Sequence, residues 1–136
     1  MSDTPLVCLF LALVLIYVPS TIKAIWINRN VDGGVNNIHP RKQLDLLASW
    51  GLRAYGAHQN SLETFPAFVA GIYAAQVQNA DETATDVLCI LFVVFRVLYI
   101  IVYLINTNAC MAALRTILFV LSMACVIGLF IAGFVQ

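Results

Sequence analysis

Seven polar residues hold the chemistry open to this chain: Arg53, Asn60 and Glu63 in one stretch, Arg96, Tyr99 and Tyr103 in a second, and Arg115 in a third. Each sits in or beside a run that otherwise reads as membrane-spanning. An ionisable group inside a bilayer is expensive, so it marks a functional site by default. A carboxylate only accepts hydrogen bonds, and a guanidinium only donates them, from a rigid fork that suits carboxylates by two-point contact. Glu63 with Arg96 and Arg115 can therefore hold a polar, charged guest. No Ser/His/Asp triad and no His/Glu metal set accompanies them, so a hydroxyl or thiol nucleophile has to arrive with the ligand.

Helical spacing brings these groups to one level. Glu63 is ten residues past Arg53, about 15 Å along a helix. Arg96 is ten residues before Asn106, again about 15 Å from the same side, and Arg115 is nine past it, roughly 13 Å. A glutamate and an arginine at one depth are expected to pair. One pair could simply lock two helices together; the further polar groups leave hydrogen-bonding capacity for a ligand. On a wheel of 100° per residue, Arg53, Gly56, Asn60 and Glu63 fall within an arc of about 80°. Ala67, Gly71 and Ala74 continue that arc, and small residues on one stripe let a neighbouring helix come close. Arg96, Tyr99 and Tyr103 share a face of their own helix. His58 points elsewhere, more than about 100° from Arg53, and reads as an interface or neighbouring-subunit contact.

The elements that must position these residues are four apolar segments. The chain of 136 residues is 62% apolar and 10% charged, with a mean hydropathy of +0.91. Soluble domains carry roughly 25% charged residues, so this is an integral membrane protein, all-α, in a single domain over residues 1–136. Spans are expected at about 5–27, 52–77, 84–105 and 109–135. Pro19 is expected to kink the first. The apolar run is too long for a signal peptide, and no Lys or Arg precedes it. Residues 28–43 read as the one extended polar loop, with Gly33-Gly34 and His39-Pro40 as turn signals and His39 as a solvated residue rather than a metal ligand. The second segment is expected to begin near Leu44 and to project from the membrane at first. Asp81, Glu82 and Asp86 make the next loop acidic. Lys and Arg favour the cytoplasmic side, which puts the first and third loops there and both termini on the other side.

Composition excludes other classes. Net charge is zero with no basic patch, so nucleic-acid binding has no support. A transporter would show interrupted helix pairs at a midplane site, and none is visible. Cys8, Cys89, Cys110 and Cys125 have no metal or CxxC spacing and read as small apolar residues. Cys110, nearest a membrane edge, is the one to test for reactivity.

The run RAYGAHQNSLETFPAF closely resembles the second-helix motif of the membrane-associated proteins in eicosanoid and glutathione metabolism. Arg96-x-x-Tyr99-x-x-x-Tyr103 resembles their third-helix motif, and LRTILF, with Arg115, the start of their fourth helix. Together the segments cover nearly the whole chain. The resemblance implies a four-helix membrane protomer in a homotrimer, a microsomal glutathione transferase-like protein, with short loops leaning toward a bacterial inner membrane. It implies glutathione as co-substrate, bound between subunits on the cytoplasmic side, and a lipophilic electrophile arriving from the lipid. By position, Asn60 and Glu63 would hold the glutathione backbone and amino group, and Arg96 would brace Glu63 or meet a carboxylate. Tyr99 and Tyr103 would line the pocket. Arg53 would supply a carboxylate clamp, and Arg115 would stabilise the thiolate as the catalytic residue. Gly56 stands where several glutathione-using members carry arginine, which makes a non-catalytic binding or interaction protein of the same fold the alternative.

Overall fold

Proline in a first turn gives up no hydrogen bond, and Pro5 opens the first helix, α1 (Thr4–Asn30). The structure is a computed structural model, and it describes residues 2–132 and 134. Gly133 and Val135 of the expected last span lie outside the described residues. Beyond α1, these residues form a 3-10 helix (Pro40–Leu46), α2 (Ser49–Val77), α3 (Glu82–Ile105) and α4 (Ala109–Ala132). The α1 helix continues through Pro19 for three more turns, ending beyond the expected Ile27.

Residues 28–43 are not the extended loop that their polarity suggests. Gln43 is buried and ties the segment to itself: its Oε1 accepts from the Asn36 N–H and its Nε2 donates to the Gly34 carbonyl, both at 2.8 Å. Asn28 adds a bond from the Val35 N–H. Leu47 then packs with Trp26 and Ile27 in a small buried cluster. Leu44 belongs to the 3-10 helix, and α2 starts five residues later than expected, at Ser49. A polar side chain that serves backbone groups internally cannot be told by composition from one that faces water.

The other boundaries follow local chemistry. The α2 helix ends in paired bonds from Ala80 N–H to the Ala75 carbonyl and from Asn79 N–H to the Gln76 carbonyl. Asn79 adopts φ 53, a left-handed conformation that asparagine tolerates. Asp81 caps α3, its carboxylate accepting from the Ala84 N–H at 2.7 Å. Asn108 does the same for α4 through the Met111 N–H.

α2 packs against all three other α-helices. Its buried seam is Ala54, Ala57, Ser61, Thr64, Phe68, Gly71 and Ala75, alternating three and four residues apart. Phe68 stacks on Phe92 of α3 at 3.8 Å between centroids, and Gly71 lies against Leu129 and the Val126 carbonyl of α4. Cys8, Cys89 and Cys125 are buried in the same core, whereas Cys110 is exposed. α1, α3 and α4 are long and apolar enough to cross a membrane, and they expose apolar residues such as Phe10, Ile101 and Ile127. α2 does not meet that standard, because its first half carries Arg53, His58, Gln59, Asn60 and Glu63.

Candidate functional site

The seam of α2 and its polar face are one residue apart. Arg53, Gly56, Asn60 and Glu63 each precede a seam residue, so the polar face is turned about 100° from the core. It borders a cleft of about 350 Å³ lined by Gly56, Gln59, Asn60 and Glu63 of α2, Tyr99 and Tyr103 of α3, and Arg115, Thr116 and Phe119 of α4. Five expected site residues are thus brought together: Asn60, Glu63, Tyr99, Tyr103 and Arg115. Two are not.

Arg53 is engaged elsewhere. Its Nε donates to the Leu104 carbonyl at 2.8 Å, closing the last turn of α3, where carbonyls lack helical donors. Arg96 lies behind the cleft rather than in it, 3% exposed. One nitrogen donates to Asn60 Oδ1 at 2.9 Å, another to Ser61 Oγ at 3.2 Å, and the guanidinium lies 4.3 Å from the Tyr99 ring centroid. The expected Glu63–Arg96 pair does not form. The two arms of the Arg96 fork are spent on Asn60 and Ser61, and Ser61 stands about 160° from Glu63 around the helix, which draws the guanidinium to the buried side. Among the described residues Glu63 has neither hydrogen bond nor ion pair, and it is exposed.

On the far wall, Tyr99 is almost fully buried and meets Tyr103 edge to face at 5.5 Å. The Arg115 guanidinium lies 4.6 Å from the Tyr103 ring centroid. The Tyr103 hydroxyl occupies the space over Gly56, where any β-carbon would collide with it. The cleft therefore presents a free carboxylate on α2 and a guanidinium with a phenol opposite. Such a site can take an ammonium at one end and an anion at the other.

Three lining residues carried no signal in the sequence. Gln59 follows His58 on a helix whose polar residues outnumber any one role, and its Nε2 donates to the Tyr55 hydroxyl at 2.8 Å. Thr116 and Phe119 stand on a helix whose one charge is Arg115, and nothing in their own types marks them. His58 contacts α1 within the same chain: its Nδ1 meets the Ile16 carbonyl at 2.7 Å, beside the gap that Pro19 leaves in the helical ladder. A second cavity, about 190 Å³, lies at the opposite end of the helices, with Asp86, Glu82 and Ser2 in its lining and no basic side chain.

A protein-family model, the MAPEG family, matches residues 4–135. The chain belongs to the MAPEG family. No curated protein and no solved structure matches it. Family membership and the three long apolar helices make this a membrane protein, and MAPEG proteins include glutathione transferases and peroxidases as well as non-catalytic members.

Proposed function

We propose that this MAPEG chain is a membrane-bound glutathione-dependent transferase or peroxidase acting on hydrophobic electrophiles. The observation that carries the proposal is the cleft with unpaired Glu63 on one wall and Arg115 over Tyr103 on the other. Glutathione brings an ammonium for Glu63, acceptors for Asn60 and a thiol. A free thiol with pKa near 8.5 is mostly protonated at neutral pH, and the Arg115 cation favours the nucleophilic thiolate. The lipophilic partner enters past Thr116 and Phe119, on the helix whose outer face is apolar. α2 completes a set of four spans, with Glu63 turned to the cleft and Arg53 tied to the end of α3. An exposed glutamate on a membrane helix needs cover, which a neighbouring subunit of a homotrimer supplies. The bias of Lys and Arg supports a cytoplasmic position for this half.

Titration calorimetry of the detergent-solubilised protein tests the proposal. Binding at millimolar glutathione or below is expected, weakened about ten-fold or more by Glu63→Gln, which removes one charged hydrogen bond. No heat at millimolar concentration sinks it. A second reading, a non-catalytic member, is favoured by Tyr103 filling the space over Gly56. The ultraviolet absorbance of a bound thiolate at neutral pH separates the two: present for the enzyme, absent for the binding protein.

A further inference from the structure

We infer that Arg96 is a positioning residue that never meets the ligand: it fixes the amide of Asn60 so that the two N–H groups of that amide face the cleft. This deepens the glutathione reading above and rests on it for its functional half. A guanidinium has no acceptor, so the amide atom turned to Arg96 must be the oxygen. The bond from Arg96 to Asn60 Oδ1, 2.9 Å long, therefore decides which way the amide lies. Arg96 is itself held at two further points. The Ser61 hydroxyl donates to the Ala57 carbonyl at 2.9 Å, which leaves its lone pairs for the second arm of the fork, and the Tyr99 ring lies beneath.

Of the two hydrogen-bond partners of Arg96 among the described residues, Asn60 lines the cleft and Ser61 does not, nor does Arg96 itself. Asn60 stands about 100° from Ser61 and about 60° from Glu63 around α2, between the buried seam and the open face. With its oxygen committed to the buried side, it offers donors to the ligand beside the Glu63 acceptor. Asn60 Nδ2 makes no hydrogen bond among the described residues, so those donors are available. The buried arginine thus writes the polarity of a site that it does not touch.

The test uses the full chain in detergent, with glutathione affinity and thermal unfolding as separate readouts. Asn60→Asp keeps an oxygen for Arg96 but turns an oxygen to the cleft; it should hold or raise the unfolding temperature while weakening glutathione about ten-fold or more. Arg96→Lys loses the fork and should weaken glutathione to a similar degree. Combined with Asn60→Ala it should add little further loss, whereas with Glu63→Gln the two losses should multiply. Multiplying losses for Arg96 with Asn60, or coupled ones for Arg96 with Glu63, overturn the inference. If the unaltered protein binds no glutathione, the proposed function falls. The same cycle on unfolding temperature without ligand then decides the link: additive shifts for Arg96→Lys and Asn60→Ala reject it.

Discussion

Gly56 and Tyr103 make a pair in which one residue's size sets the other's position. The phenol reaches the α2 backbone only because no β-carbon stands there. Gly56→Ala is expected to push the Tyr103 ring off its seat and with it the Arg115 guanidinium stacked on that ring. Overpacking of this kind costs about 1–3 kcal/mol, to be read as a lower unfolding midpoint. Equal midpoints for the variant and the parent would show that the ring moves freely. At this scale the sequence named most of the cleft. Asn60, Glu63, Tyr99, Tyr103 and Arg115 could be read because charges and phenols at one depth of an apolar chain are rare. Arg53 and Arg96 were misassigned in role for a physical reason. Depth follows from counting residues, whereas the direction a long side chain takes depends on which seam its helix buries. Ser61, which redirects Arg96, is too ordinary a residue to signal anything in advance.

The ends of the helices are fixed by short-range chemistry and were legible to within a turn, except where a polar residue turned inward. Asp81 illustrates the first case, an acid in front of an apolar run that caps α3. Asp81→Ala removes the acceptor for the Ala84 N–H and should cost about 1 kcal/mol, measured by thermal unfolding in detergent. Asp81→Asn should recover most of it, since asparagine caps as well; an unchanged midpoint for alanine would mean the helix end is held by packing alone. Gln43 illustrates the second case. Its burial converts an apparent open loop into a folded connection that ends in a 3-10 helix, and it delays α2 until Ser49. Nothing in the spacing of NRNVDGGVNNIHPRKQ announces which of its amides will be internal.

Charge is divided between the ends of the whole molecule. Lys23, Arg29, Arg41, Lys42 and Arg53 cluster toward the half that holds the cleft, with Asp32 and Asp45 among them, and Asp3, Asp81, Glu82 and Asp86 lie at the other end with no Lys or Arg beside them. Cys110 offers a direct check of sidedness. It is exposed at the start of α4, while Cys8, Cys89 and Cys125 are buried. A membrane-impermeant maleimide should label Cys110 from the cytoplasmic side only, and Cys110→Ser should abolish labelling. Labelling from the opposite face would reverse the orientation and place the cleft away from the cytoplasm.

Three of the four α2 residues that border the cleft are chain neighbours of one in the seam: Gly56 of Ala57, Asn60 of Ser61, Glu63 of Thr64. The aperture is consequently adjusted from its back wall. A methyl group added at Ala57, which is wholly enclosed, must roll or shift the helix and carry Gly56 and Asn60 with it. Guest selection can thus drift through substitutions that never face the guest, by changes in core volume alone.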